Sequence, residues 1–356
     1  DYNKVNSITT DSSGNVLVGG YFQDNIDIDG DGDNDLTSNG GWGDSYAAKF
    51  DSNGNLVWAK QIGGSGSDTA NSITTDSSGN VLVGGNFEGN IDIDGDGNND
   101  LTSNGGWDGY AAKFDSNGNL VWAKQIGNGS SGDRVYSITT DSSGNVLVGA
   151  SKGILIDGYA AKFDSNGNLV WAKEKGSSSL DGARSITADS SGNVLVGGYF
   201  EGIDGKIDLD GDGNNDLTSN GGLDGYAAKF DSNGNLVWAK QIGNGSSGDR
   251  VYSITTDSSG NVLVGASKGI LIDGYAAKFD SNGNLVWAKE KGSSSLDGAR
   301  SITADSSGNV LVGGYFEGID GKIDLDGDGN NDLTSNGGLD GYAAKFDSNG
   351  NLVWAK

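Results

Sequence analysis

Four segments of the chain alternate carboxylates with small or apolar residues over nine positions. They are Asp27-Ile-Asp29-Gly-Asp31-Gly-Asp33-Asn-Asp35, then Asp92 to Asp100, Asp208 to Asp216 and Asp324 to Asp332. All four read D-x-D-x-D-G-x-x-D. So many carboxylates in so short a loop repel one another unless a cation lies between them. Calcium takes six to eight oxygen ligands at about 2.3–2.6 Å, whereas magnesium resists giving up its water to so many protein groups. The pattern therefore predicts one calcium ion per loop, about four in all. Side chains at positions 1, 3, 5 and 9 would serve as ligands: Asp27, Asp29, Asp31 and Asp35; Asp92, Asp94, Asp96 and Asp100; Asp208, Asp210, Asp212 and Asp216; Asp324, Asp326, Asp328 and Asp332. The carbonyl at position 7 would add a fifth, from Asp33, Asn98, Asn214 or Asn330, and the glycine at position 6 permits the sharp turn.

Other chemistry is excluded by composition. The 356 residues include no His, Cys, Met or Pro, which removes disulfides, thiol chemistry and the usual zinc, haem and iron–sulfur ligands. A net charge of −26 disfavours nucleic acid and anionic membrane surfaces, because phosphate binding needs clustered Lys and Arg. No apolar run approaches the roughly 18 residues of a membrane span, so membrane insertion is not expected. The chain opens on Asp1 without an initiator methionine, which suggests a mature or excised segment.

The elements that hold the loops are legible as repeats. A stretch close to SITTDSSGNVLVGG begins at Ser7, Ser72, Ser137, Ser185, Ser253 and Ser301, and each copy is followed by a near-invariant YAAKFDSNGNLVWAK. Within one unit, Asn71–Asp76, Asn80–Gly85, Tyr110–Phe114 and Leu120–Lys124 read as four short strands, A to D, and Asn-Gly in the last connection is a hairpin signal. No segment shows helical periodicity with caps. The spacings of 65, 65, 48, 68 and 48 residues suit four-stranded blades with insertions. The expected fold is all-β, a single six-bladed β-propeller over 1–356 with blades near 1–62, 63–126, 127–175, 176–242, 243–291 and 292–356. In such a meander the A–B and C–D turns share one end of each sheet, and they are nearly invariant. Variation is confined to the B–C and D–A connections at the other end, the usual arrangement of a binding surface on a rigid scaffold, though drift in unused loops would look the same. Residues 125–240 and 241–356 are identical, so blades 3 and 4 recur as blades 5 and 6.

These residues carry a resemblance. The "I..D..GN..V.G" hairpin and the "D.(F/Y).AK.D..GN..WAK" pair are similar to the bacterial beta-propeller repeat family often called SBBP, over nearly the whole chain. The acidic insert looks like the calcium loop of integrin-type FG-GAP repeats and of dockerin-like segments, here placed in a different repeat. The family resemblance implies a secreted or cell-surface protein without a known activity, acting as a structural or adhesive module toward surface proteins or copies of itself.

Three further features are open. The tryptophan of Leu-Val-Trp-Ala-Lys (Trp58, Trp122, Trp171, Trp238, Trp287, Trp354) resembles the docking tryptophan of quinoprotein propellers and the segment resembles the sialidase Asp-box, but both spacings differ, and packing between blades is the reading adopted. Arg134, Arg184, Arg250 and Arg300 each stand just before a strand A and are expected to be solvated or paired. Trp42 and Trp107 follow a Gly-Gly pair where other units have Leu223, Leu339, Ile156 and Ile272. An apolar residue at every counterpart points to packing under the loop; a stacking platform for sugar is the alternative, and would make the protein a lectin-like glycan binder. A carboxylate-based glycosidase would need two facing acids at a set separation, and no acid stands apart from the repeats. No enzymatic activity is expected.

Overall fold

The computed structural model describes residues 2–127, 132–153, 157–175, 180–201, 206–219, 221–243, 248–269, 273–291, 297–317, 322–335 and 337–356. Among them there is no helix. The strands form six four-stranded antiparallel sheets, each in the order A-B-C-D, which is the meander expected from the repeats. The chain divides into two compact units, Asp1–Glu174 and Lys175–Lys356, with three of these sheets in each. In the second sheet the strands are Thr69–Thr75, Val81–Ile91, Leu101–Phe114 and Leu120–Ile126. Strands B and C run well past the expected limits, because they continue as a ladder through Asn90 opposite Thr102 and Ile91 opposite Leu101. In the first, fourth and sixth sheets the same continuation is a separate two-residue ladder, such as Asn25–Ile26 against Leu36–Thr37.

Each hairpin is folded by an aspartate. In the A–B turn of the second sheet, Asp76 Oδ1 accepts the Ser78 and Asn80 amides, both at 2.9 Å, and Oδ2 accepts the Asn80 side-chain amide at 2.8 Å. The C–D turn repeats this around Asp115. The side chain thus supplies the acceptors that the tight backbone cannot. The A–B aspartate has a second partner, the lysine of Tyr-Ala-Ala-Lys-Phe. Lys49–Asp11, Lys113–Asp76, Lys162–Asp141, Lys229–Asp189, Lys278–Asp257 and Lys345–Asp305 lie 2.8–3.1 Å apart.

Sheets stack face to face within each unit, so strand B is covered on both sides and loses alternation: Val81, Leu82 and Val83 are all fully buried. Strand A meets the A strand of the next sheet, where the Ser7 and Ser72 hydroxyls accept the Ile73 and Ile138 amides at 3.1 and 3.2 Å. Close approach there demands glycine, since a Cβ on Gly84 would fall 2.7 Å from a Val135 methyl. At the outer strand the tryptophan makes the joint. Trp58 packs on Phe114 with ring centroids 6.5 Å apart and donates its indole N–H to Ser116 O, and Trp122 does the same to Phe163 and Ser165. In the second unit Trp238 and Trp287 repeat the joint on Phe279 and Phe346. The floor of each slot is the turn glycine: a Cβ on Gly167, already at φ +80°, would sit 2.9 Å from the Trp122 ring.

The end sheets show what the joint covers. In the first unit, Ile8 is 67% exposed where Ile73 is 4% exposed, and Gly54 has nothing near it where Gly118 has the Trp58 ring. In the second unit, Trp354 is 38% exposed where Trp238 is 8% exposed. Trp122→Ala is expected to cost about 3–5 kcal/mol through the cavity it leaves. The exposed neighbour Val121→Ala should change stability by about 0.5 kcal/mol or less, read as the shift in the denaturant midpoint.

Candidate metal loops and buried carboxyl pairs

The acidic loops sit at the tips of the B–C ladders, held from below by the residues between their acids. Ile93, Leu209 and Leu325, at position 2 of their loops, are buried, as are Ile91, Ile207 and Ile323 just before position 1. The loop backbone closes on its own carboxylates. Asp92 Oδ1 accepts the Gly95 amide at 2.7 Å and Oδ2 accepts the Gly97 amide at 2.8 Å, while Asp100 Oδ2 reaches back to the Ile93 amide at 2.7 Å. The other three loops repeat these bonds. Glycines at positions 4 and 6 take left-handed backbone in every loop, as with Gly95 at +79° and Gly97 at +89°.

One oxygen from each of three carboxylates converges to within 4.8 Å in each loop: Asp27, Asp29 and Asp35; Asp92, Asp94 and Asp96; Asp208, Asp210 and Asp216; Asp324, Asp326 and Asp332. Positions 1 and 3 are thus brought together throughout, joined by position 9 in three loops and position 5 in one. Asp31, Asp212, Asp328 and Asp100 lie outside those triplets. The position 7 residues turn sideways: the Asn98, Asn214 and Asn330 side chains donate to the position 5 carboxylate at 3.0 Å, and the Asp33 amide donates to Asp31 at 2.9 Å. Burial, with help from neighbouring aspartates, pushes Asp100, Asp216 and Asp332 above the usual carboxylate range. A cation among them would relieve that strain.

A second set of acids carries no local sequence signal. Asp44 and Asp68 are buried in hydrogen-bonding reach of each other, and so are Asp108 and Asp133. Asp108 Oδ2 accepts the Asn104 amide at 2.9 Å and the Gln125 side chain at 2.6 Å, and Asp133 Oδ1 accepts the Gly153 amide. Their remaining oxygens, Asp108 Oδ1 and Asp133 Oδ2, are buried without a donor. Two such carboxyls cannot both ionise, and one shared proton completes the pair. Burial pushes Asp68 up to about 7 and Asp133 up to about 6, the latter with Asp108 adding; Asp249 beside Asp224 is likewise raised to about 6.

The aromatic and cationic expectations divide. Trp42 is 81% exposed and Leu339 57% exposed, so neither packs under its loop; Trp107 and Leu223 are half-buried. Ile156 and Ile272 lie outside the described residues. The arginines are paired with rings: Arg134 stacks 4.4 Å from the Trp107 centroid and Arg300 3.9 Å from that of Tyr252. Arg134 and Arg250 open their A strands, whereas Arg184 and Arg300 fall inside theirs, a small correction to the expected boundary.

The two kinds of aspartate have opposite pH dependence. For Asp76, Asp141, Asp189 and Asp257, burial alone would raise the pKa, but hydrogen bonds from the turn asparagine and the paired lysine outweigh it and hold these groups low; Asp11 falls to about 2. Their contribution is present above about pH 4 and lost as pH falls further. The raised groups bind protons more tightly in the folded state. Their contribution is complete below about pH 4 and lost as pH rises through 6 to 7. Metal-free protein should therefore melt highest between about pH 4 and 6. Asp133→Asn, whose amide can donate to Asp108, should raise the melting temperature at pH 8 and flatten the alkaline decline; an unchanged pH profile would contradict the shared proton.

Residues 57–86, 121–151 and 237–267 match the family SBBP, described as a beta-propeller repeat. Each matched stretch runs from a strand D through strands A and B of the next sheet, and so contains the tryptophan joint. An uncharacterised WD repeat-containing protein of Acanthamoeba polyphaga mimivirus is 30% identical over 109 residues, covering 29% of this chain and 8% of that protein. Among solved structures, the Pan2 WD40 domain of Neurospora crassa aligns with 98% of this chain and 84% of its own at a TM-score of 0.51 and 12% identity. The hydrazine synthase of Kuenenia stuttgartiensis aligns with 97% of this chain and 76% of its own at 0.53 and 9%. At such identities the likeness concerns the fold alone. Taken with meander sheets joined by a recurring tryptophan, the matches show an all-β chain with three stretches similar to the SBBP beta-propeller repeat.

Proposed function

We propose that the chain is a calcium-stabilised, six-bladed propeller acting as a non-catalytic binding module of a secreted or cell-surface protein. The observation that carries the metal reading is the convergence of three carboxylate oxygens within 4.8 Å in all four acidic loops, three of them anchored by buried apolar residues and the first by the half-buried Ile26 and Ile28. The extracellular reading follows from calcium supply, since modules of this kind often bind at about 10⁻⁴–10⁻³ M, levels met outside cells. The non-catalytic reading rests on a sequence without His or Cys and without a nucleophile motif. Partners would be surface proteins, copies of the chain, or glycans.

Calorimetry should give about four calcium ions per chain, and Asp29→Ala should remove one. A stoichiometry well below four would contradict the assignment. Each site filled at tenfold excess over Kd adds about 1.4 kcal/mol, so chelator should lower the melting temperature and expose the four loops to protease while the far-ultraviolet β signal persists at room temperature.

The blade assignment, one domain over 1–356, rests on the six repeats, each of which forms one four-stranded sheet among the described residues.

A further inference from the structure

Only two of the eight tryptophans, Trp42 and Trp107, lie outside the sixfold repeat, and both line one cleft of the first unit, with a volume near 780 Å³. That volume falls within the range of about 300–1,000 Å³ typical of ligand sites. The cleft opens at the end of the sheets from which the variable B–C and D–A connections emerge. The geometry points to a binding site for a neutral glycan. This names the ligand class of the binding module proposed above and rests on that reading.

The aromatic surfaces are fixed in place and open. Trp42 presents its ring to solvent, while its carbonyl is held by the Gln23 side-chain amide at 2.8 Å. Trp107 is clamped on one face by Arg134 and at its indole N–H by Glu88 Oε2, 3.2 Å away. Tyr2 and Tyr21 stack with planes 19° apart and centroids at 6.2 Å. Flat rings of this kind accept the C–H face of a pyranose without much loss of side-chain entropy.

The polar groups between them are amides. Asn71 Nδ2 donates to Asn86 Oδ1 at 3.1 Å and to Val135 O at 2.9 Å, which leaves Asn86 Nδ2 without an acceptor although Asn86 is only 3% exposed. A buried donor left unpaired costs about 1–3 kcal/mol, and a sugar hydroxyl is an acceptor that would relieve it. The counterparts of Asn86 are Tyr or Ser in every other sheet, so this amide belongs to the cleft and not to the repeat. Charge disfavours anions: Arg134 is the single cation lining the cleft, Asp68 lies in the cleft wall, and the chain carries −26. Sulfated and sialylated sugars and nucleotides are therefore disfavoured, and a neutral polyol with an apolar face is what remains.

The test uses the full chain, saturated with calcium, on cellotetraose, maltotetraose, laminaritetraose and mannotetraose, with sialylated and sulfated glycans alongside. At least one neutral oligosaccharide should bind in calorimetry. Trp42→Ala should weaken it tenfold or more, and because Trp42 is exposed this variant should melt as the parent does. Asn86→Ser, the residue of the third and fifth sheets, should also weaken binding, and Leu339→Ala, an exposed apolar residue of the second unit, should leave it unchanged. Absence of neutral-glycan binding, binding confined to anionic glycans, or affinity insensitive to Trp42→Ala would overturn the site. Hydrolysis of a bound oligosaccharide would overturn the non-catalytic module and leave the site standing.

Discussion

An ammonium group sealed against a hairpin turn sets the terms for everything else in this molecule. Lys113 and Asp76 have side chains only 6% exposed, and an uncompensated charge so placed would cost several kcal/mol. The aspartate is already committed to the turn amides, so the lysine does not merely neutralise it but fixes strand C against the A–B hairpin. Its second interaction, with Ser165 O at 3.3 Å, reaches the adjacent sheet at the turn on which Trp122 docks. Turn, strand and neighbouring sheet therefore share one electrostatic node. In the last sheet, with no following turn on it, the same pair is 25% and 29% exposed.

That node explains why so polar a sequence has so firm a scaffold. Carboxylates at one end of each sheet are spent on turns and lysines, where they are driven acidic. At the other end they are grouped, buried or crowded, and driven the opposite way. The first group makes the invariant end rigid at neutral pH. The second makes the variable end sensitive to protons, so the end that carries the diverse connections is also the part most responsive to its surroundings.

Much of this was legible in residue order, and the limits are physical. Asp-Ser-Asn-Gly-Asn specifies a hairpin because every interaction in it is local, and the strands beside it followed directly. The tryptophan's role was readable from its once-per-unit recurrence. The lysine's role was not, because its aspartate lies 21 residues earlier in the third and fifth sheets and 37 to 40 earlier in the other four, and pairing depends on the meander's register. The Asp108–Asp133 pair was hidden for the same reason, each acid alone resembling one more loop residue. Trp42 misled in the other direction: apolar counterparts in the other units suggested a shared packing role, yet its loop carries it clear of the sheet.

The tryptophan slot is made of residues that all sheets share, so any repeat presents a compatible neighbour to any other. Residues 125–240 and 241–356 could thus be copied side by side without a single adjusting substitution at the new junction. In a conventional core each duplication would create mismatched surfaces needing later repair. Here the shared slot lets a further repeat be added without any new packing surface. Individuality then accumulates only where the shared joint does not reach, as it has in the first unit's loops.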